Sequence, residues 1–557
     1  MTQPAPMRSD AMRFVFFLSA LLIAAAWLGG RSLDQPGLYY DEAVQARPAL
    51  EFLSGKVNAS PLPGSQTRWV GAHPLPVMTQ PYMGALKSQV LAAPLWLFGA
   101  RVEVLRATTL VLALLGAAVC AIWARRVFGP AVSLLGTALL VLDPSFLLLA
   151  RHDWGSFSLS LLLRAIVLLA GWRFFESRRP AALCIAALAL GLGFYNKIDF
   201  AIFAAAAGAA LLCCAGKPTW RVLRERPALL VAALGSFLLG LGPLLANLST
   251  IASRPGAFAK PGEAGEKLQT LFTLLDGSHF HRLMETGGLF DRIGNVENAP
   301  AGPFAALLLG ALVFVALRWL RRRGAPTPSV RGELFLWLAT VFSVAAFFAL
   351  PGGVRIHHAL NIVPFPQFLV AAALLDLASL GATPRGRQFA RGCAILVVAF
   401  VLLLQVMVFE HTRRAFAASG GKGRWSGAIA ELARDLRGTP MEVWSLDWGF
   451  HEPLAFLGAG ERLHEVHWQI PSMQRRLGAF RARGEANRIY VLHLPPYDRS
   501  GYGLDFLEAL KANDPEHSEI VTYRDGDGDV AFLTVRILGP HAIYYDGRFA
   551  IDTVGSP

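Results

Sequence analysis

The sequence predicts a polytopic α-helical membrane protein of about eleven transmembrane helices, with a small extracytoplasmic α/β domain at its C-terminal end. Three observations lead there. Of 557 residues, 54% are hydrophobic and only 16% charged, with a mean hydropathy of +0.43, whereas soluble domains carry about a quarter charged residues. The apolar runs are long enough to cross about 30 Å of hydrocarbon as helices, and the short alternating segments of a β-barrel are absent. Beyond residue 410 the composition turns to that of a soluble domain.

The net charge of +13 does not indicate nucleic acid, because the basic residues share no soluble face. They cluster at Arg125-Arg126, Arg173 with Arg178-Arg179, Lys217 to Arg226, Arg318 to Arg323 with Arg331, and Arg385 to Arg391, each in a short loop between apolar segments. Such loops are expected on the cytoplasmic side.

Arg8 and Arg13 precede the apolar run Phe14 to Leu28, which keeps the N-terminus inside. A cleaved signal peptide is the alternative. An uncleaved span is preferred, because the acidic motif that follows at once needs a fixed anchor. Spans are then expected near 13–30, 104–124, 131–149, 156–174, 180–196, 199–215, 227–247, 303–320, 333–350, 359–380 and 392–409. Residues 31–103, 150–155, 196–199, 248–302 and 351–358 fall on the periplasmic side of an inner (plasma) membrane. The first of these is too polar and proline-rich to span. It should hold two interfacial helices, near 42–54 and 84–98, the second with Leu86, Val90, Leu91 and Leu95 on one face.

Residues 1–410 thus read as the membrane domain and 411–557 as the soluble one. In the latter an amphipathic helix near 424–437 leads to a strand over Met441 to Leu446. Further strands are expected at 464–469, 488–494, 518–524 and 529–537, and helices near 471–483 and 502–512, a three-layer α/β pattern. An odd number of spans puts this domain outside the cytoplasm.

Four ionisable clusters stand at ends of apolar segments: Tyr39-Tyr40-Asp41-Glu42-Ala43, Arg151-His152-Asp153-Trp154, Tyr195-Asn196-Lys197-Ile198-Asp199 and Arg355-Ile356-His357-His358. The charge rule that orders the spans brings all four to one side. A carboxylate above the membrane can abstract a proton from an acceptor, and Asp41 is the first candidate. Its bland reading is a solvated acid at the start of the 42–54 helix. Asp153, after Arg151 and His152, is ionisable near membrane depth, where charge is costly and commonly functional, although Arg151 and Asp153 could form a simple interfacial ion pair. Lys197 and Arg355 suit binding of phosphate oxygens, against plain snorkelling toward headgroups. Arg151 and Lys87 join them as candidate phosphate ligands, Lys87 on an interfacial helix where a lipid-facing lysine is equally ordinary. Glu42, His152, His357 and His358 are supporting candidates. Glu42 should point away from Asp41, since neighbours on a helix diverge by about 100°.

Other motifs fail. Asp525-Gly-Asp-Gly-Asp529 begins like a calcium loop, but Val530 stands where glycine is needed and no glutamate closes it, so it reads as a hairpin turn. Gly458-Ala-Gly460 lacks the third glycine of a dinucleotide site. His464 and His467 with Glu461 and Glu465 alternate partly like a strand, so no metal site is assigned. The five cysteines, Cys120, Cys184, Cys213, Cys214 and Cys393, read as small buried hydrophobes.

Tyr40-Asp41-Glu42-Ala43, Ala150-Arg151-His152-Asp153, Gly191-Leu-Gly-Phe-Tyr-Asn-Lys197 and the stretch Arg355 to Pro364 together resemble the GT-C glycosyltransferases, in the branch of protein O-mannosyltransferases and aminoarabinose transferases. The resemblance covers about residues 1–380. It implies transfer of a sugar from a polyprenyl-phosphate carrier to an extracytoplasmic acceptor (lipid, glycan or protein) with inversion. It also implies that Asp41 and Asp153 are the acids of the first and second external loops, and that Lys197 and Arg355 are the cations facing the lipid phosphate. Where aminoarabinose transferases carry Lys-Pro-Pro, this chain has Pro81-Tyr-Met-Gly-Ala-Leu-Lys87. No cofactor is called for, with an auxiliary divalent cation left open. Two rivals remain. A transporter or flippase of a lipid-linked sugar predicts charges buried mid-membrane and broken helices in matched halves, whereas here the charges concentrate near one surface and no two-fold repeat is visible. A non-catalytic receptor or assembly factor would make the Asp41 cluster incidental.

The topology is directly testable. Reporter fusions ending near residues 126, 222 and 322 should report cytoplasm, and one near 430 the opposite side. A cytoplasmic signal from the last would separate the four clusters from their common face.

Overall fold

The structure, a computed structural model, describes residues 7–57, 62, 64–248, 264–287, 296, 298–321, 328–350, 355–380, 383–460, 462–465, 480–483, 488–498, 503–504, 506–507, 510, 518–538, 542–545 and 549–552. Helix α1 (Met7–Gly29) is followed by an irregular stretch and then α2 (Tyr40–Ser54). Strands β1 (Gln66–Val70), β2 (His73–Gln80) and β3 (Met83–Gly84) form an antiparallel sheet in that order. It was not anticipated, because Pro74 and Pro76 inside β2 argue against a strand.

Helix α3 (Leu86–Phe98) returns to the bundle, and α2 and α3 occupy the two segments expected to be helical outside the membrane. Next come α4 (Val102–Phe128), α5 (Pro130–Val141), α6 (Pro144–His152), α7 (Phe157–Ser177), α8 (Pro180–Asn196), α9 (Ala201–Glu225) and α10 (Pro227–Leu245). Proline opens α5, α6, α8 and α10, where its missing N–H costs nothing and its fixed φ suits the first turn.

Later in the chain lie α11 (Ala264–Asp276), α12 (His279–Glu285), α13 (Phe304–Arg321), α14 (Pro328–Ala349), the short α15 (Ile356–Ala359), α16 (Phe365–Leu377) and α17 (Pro384–Ser419). Among the described residues eight helices are long and apolar enough to cross a membrane, or ten if each of two bent pairs, α5 with α6 and α15 with α16, is one span. Helix α8 is apolar but shorter. Every apolar segment expected from the sequence coincides with one of these elements. The chain is a multi-pass membrane protein.

Two of the breaks are held by arginines from apolar helices. Arg164 of α7 donates to the carbonyls of Leu360 and Val363 at 3.1 and 2.9 Å, where α15 gives way to α16. Arg106 of α4 donates to the carbonyls of Leu33, Pro36 and Gly37 at 2.8, 2.8 and 3.1 Å, fixing the stretch between α1 and α2. An unpaired carbonyl in apolar surroundings costs several kcal/mol by order of magnitude, so such breaks persist only where donors meet them.

The α17 helix continues through residue 410 to Ser419 and delivers the chain to the C-terminal domain. There α18 (Ala428–Asp435), β4 (Glu442–Ser445), α19 (His451–Phe456), β5 (Leu463–Glu465), β6 (Phe480–Arg483), β7 (Arg488–Leu492), β8 (Ser518–Arg524), β9 (Val530–Ile537), β10 (Ala542–Tyr545) and β11 (Phe549–Asp552) follow. The main sheet has the order β5-β4-β7-β9-β8, with β4 parallel to both neighbours and β9 antiparallel to β7 and β8. A second sheet, β11-β10-β6, was not foreseen. It uses Phe480–Arg483 as a strand where a helix over 471–483 was expected, and long-range pairing with β10 overrides the local helical pattern. The remainder of that expected helix, most of the one at 502–512, and the strand residues 466–469 lie outside the described residues. Asp525 to Asp529 forms the turn between β8 and β9, closed by the Asp525 N–H on the Asp529 carbonyl at 2.9 Å.

The buried pair that ties α2 to α4 gives a stability prediction. Arg106 grips Glu42 with two bonds of 2.7 and 2.9 Å. Burial alone would raise the Glu42 pKa, but the Arg106 charge and the His152 contact hold it down to about 2. A carboxylate depressed in the fold stabilises above its ordinary range. The contribution of this one should therefore be lost only as pH falls from about 4.5 toward about 2. Arg106→Ala, which strands a buried carboxylate, should cost about 3–5 kcal/mol at neutral pH. A melting point in detergent unchanged from native would remove the pair from its place in the fold.

Candidate active site

The first turn of α2 separates its two adjacent acids. Tyr39 is the N-cap: its N–H donates to Glu42 Oε1 at 3.4 Å while its carbonyl accepts the Glu42 N–H at 3.1 Å. Glu42 turns inward, 1% exposed, onto Arg106 and to within 3.6 Å of His152 Nδ1. Asp41, one position earlier, keeps partial exposure.

Asp41 shares a neighbour with the cations of other elements. The Tyr82 phenol, between β2 and β3, has its pKa raised to about 12 by burial and then by the negative charge of Asp41, with Arg355 opposing and Asp199 adding to the rise. One side chain from the turn between β2 and β3 therefore senses charges on α2, on the approach to α15 and at the α8–α9 junction. The Tyr82 carbonyl also accepts the Ile198 N–H at 3.1 Å, fastening that loop to the junction.

At the junction Lys197, 2% exposed, pairs with Asp199 at 3.1 Å. The same Asp199 oxygen meets His358 Nδ1 at 2.9 Å, and the His357 and His358 rings lie 4.3 Å apart. Asp199 thus joins Lys197 to the histidine pair. Gly155 closes this group from α7's side. With φ +68° it packs so tightly that a Cβ there would lie 2.6 Å from Lys197 Nζ and 3.0 Å from the His357 ring. Ser156 Oγ holds Asn196 Oδ1 at 2.8 Å, binding the two loops together.

Asp153 is buried at the end of α6 with φ 44°. Its carboxylate pairs with Lys87 Nζ at 2.7 Å and accepts the Ser158 N–H at 2.7 Å, while Lys87 also donates to the Asp153 carbonyl at 2.9 Å. Arg151 turns the other way, its guanidinium donating to the carbonyls of Arg31, Ser32 and Gln35, the first at 3.0 Å and the last at 2.8 Å. Asp41, Lys197, Arg355, His357 and His358 therefore gather around Tyr82 and Asp199, and Lys87 with Asp153 adjoins them across the Gly155 loop. Glu42, Arg151 and His152 form a separate buried layer with Arg106.

Three residues of this arrangement escaped the sequence reading. Asp199 stood two positions beyond Lys197 in a stretch already singled out, and the same criterion, an acid at a span junction, would have found it. Tyr82 sat in the stretch examined only for its lysine. Arg106 lay inside an apolar segment, where a charge is costly enough to announce a buried partner. Among the described residues no group of three or more His, Cys, Asp or Glu is arranged to hold a metal ion. Chemically, these groups offer a partly exposed carboxylate and, within electrostatic range of the same tyrosine, cations, types suited to taking a proton and to stabilising an anion.

Comparison with known proteins gives this geometry a context. Residues 84–244 match the family model described as dolichyl-phosphate-mannose-protein mannosyltransferase. The chain is similar in fold to the crystal structure of ArnT from Cupriavidus metallidurans in the apo state, at 13% identity and a TM-score of 0.53, with 94% of this chain and 98% of that one covered. Against ArnT from the same organism bound to undecaprenyl phosphate the identity is 15% and the TM-score 0.51, over 94% and 97% of the two chains. No curated protein sequence matches significantly. The chain shares the fold of ArnT, the fold class that the motif resemblance implied.

The tight seat of Lys197 makes a comparative prediction. Gly71 also has positive φ but nothing within 4 Å of an added Cβ, so Gly71→Ala should cost only backbone strain, about 1–2 kcal/mol. Gly155→Ala must in addition displace the Lys197 amine, and its melting point in detergent should fall clearly further. Equal losses would mean that the amine yields freely and is not held there.

Proposed function

We propose that the protein transfers a sugar from a polyprenyl-phosphate carrier to an acceptor on the periplasmic face of the inner membrane, with inversion at the anomeric carbon. The observation that carries this reading is the Lys197–Asp199–His358 chain of contacts at the α8–α9 junction, with Asp41, Arg355 and Asp199 all within electrostatic range of Tyr82. Such a site needs no nucleotide pocket, because a polyprenyl phosphate is already a leaving group and requires only cations on its phosphate. The matched ArnT structure, which has undecaprenyl phosphate bound, supports the same donor class.

In this mechanism the Asp41 carboxylate takes the proton of the acceptor hydroxyl or amine as that atom attacks the anomeric carbon. The bond from this carbon to the phosphate oxygen breaks, and its electron pair stays on the phosphate. Lys197 and Arg355 hold the phosphate and neutralise the charge that develops there. Asp199 and His358 keep Lys197 oriented, and His357 completes that wall. Lys87 and Asp153 act as a pair, Asp153 holding the Lys87 amine beside the site. Arg151, engaged with three carbonyls, belongs to the scaffold and not to the phosphate site.

The base and the cations should fail differently when removed. Asp41→Asn keeps size and polarity but loses basicity, so turnover should drop by roughly 10²–10⁴ with donor binding retained. Lys197→Ala or Arg355→Ala should weaken binding of undecaprenyl phosphate by about 1.5–3 kcal/mol, the usual value of a charge-assisted contact. Turnover and equilibrium lipid binding measured on the same preparations separate the two. Native turnover in Asp41→Asn would end the base assignment, and a product of retained configuration would end direct displacement.

A further inference from the structure

The two residues that precede Asp41 are both held by the C-terminal domain. The Tyr39 ring stacks on Trp425 with centroids 3.5 Å apart and planes 10° from parallel, and it meets Trp448 edge-on at 5.6 Å. Tyr40 packs on Trp448 at 4.7 Å and donates its hydroxyl to Glu465 Oε2 at 3.0 Å. Two turns further along α2, Arg47 pairs with Glu452 at 2.7 Å, and the Glu452 side chain is fully buried. Before the helix, the Gly37 N–H donates to the Trp425 carbonyl at 2.8 Å, and a Cβ on Gly37 would collide with the Ser426 carbonyl. The domain therefore grips the start of α2 from 37 to 47, with Asp41 at the centre.

The gripping surface is itself locked. Arg424 donates to Asp447 at 2.5 Å and to the carbonyls of Trp448 and Tyr497, joining the loop that carries Trp425 to the one that carries Trp448. Asp447 also meets His493 Nδ1 at 2.9 Å. Burial would raise the Asp447 pKa, but His493 and the Arg424 charge hold it down to about 2, so the link stays charged near neutrality. A buried contact held by ion pairs and stacked rings does not behave as a lid, which must part in each cycle. It behaves as a fixed jig.

We propose that the C-terminal domain positions the catalytic carboxylate, with Trp425, Glu465 and Glu452 acting on Asp41 through Tyr39, Tyr40 and Arg47. The proposal rests on the reading of Asp41 as the base. Catalysis by a positioned base is steep in geometry, a displacement of about 1 Å being enough to cost roughly a hundredfold. The domain thereby contributes to rate without touching donor or acceptor.

The test uses the full-length protein in membranes from cells that lack the native chain, which supply their own donor and acceptor. Tyr40→Phe and Glu465→Gln each remove one hydrogen bond, and Trp425→Ala removes the stack. Turnover should fall roughly 10- to 100-fold in each, while affinity of the purified variants for undecaprenyl phosphate stays within about twofold of native. The Tyr40→Phe/Glu465→Gln double variant should be no slower than either single one, and Trp425→Phe, which keeps a stacked ring, should recover most of the rate. If Asp41→Asn is inactive but all three variants turn over like the native protein, the positioning role is wrong and the base assignment stands. Phosphate affinity and melting point falling in step with turnover would equally overturn it, since that pattern is general loss of structure. Full turnover in Asp41→Asn removes the base reading, and the positioning proposal goes with it.

Discussion

Irregular backbone inside an apolar protein must find donors, and most of this structure follows from that constraint. Three arginines supply them. Arg106 meets the carbonyls of Leu33, Pro36 and Gly37, Arg151 those of Arg31, Ser32 and Gln35, and Arg164 those of Leu360 and Val363. Each stands in an apolar helix, where a lone charge would be expensive. The carbonyl oxygens offset that expense, and the guanidinium in turn satisfies backbone that no helix could satisfy. The loops between the helices can therefore bend where the candidate site needs them to bend.

The same constraint divides the charged residues into two kinds. Glu42 completes the Arg106 site and anchors α2 from below, which leaves Asp41 on the other side of the turn. Arg151 is consumed by the loop that leads into α2, whereas Lys197 is balanced by Asp199 and stays beside the histidine pair. Adjacent residues with the same chemistry thus take opposite roles, and the difference lies in which partner lies beneath each one. The C-terminal domain completes the arrangement from above through Tyr39, Tyr40 and Arg47.

Much of the fold was legible in the sequence. The apolar segments and the helices expected at 42–54 and 84–98 correspond to elements of the structure, because hydropathy and helical period are properties of short stretches. The hairpin at 66–84 was hidden by its prolines, and the strand at 480–483 by a helical pattern that pairing with β10 overrode. At the candidate site, Asp41, Lys197, Arg355 and the histidines were singled out from their places at segment ends. Tyr82 was missed because a tyrosine near a membrane surface is ordinary, and only its neighbours give it meaning. Asp199 was missed although its signal was the same as that of its neighbours.

By itself, then, the sequence determined that the chain lives in a bilayer, roughly where it crosses, and which loops carry charge, since each of these depends on residues next to one another in the chain. Only the tertiary structure decided which charges face one another. Residue 42 meets 106, residue 40 meets 465, residue 87 meets 153 and residue 199 meets 358. Such pairings join residues dozens to hundreds of positions apart, and electrostatic energy depends on distance in space. No local pattern encodes it.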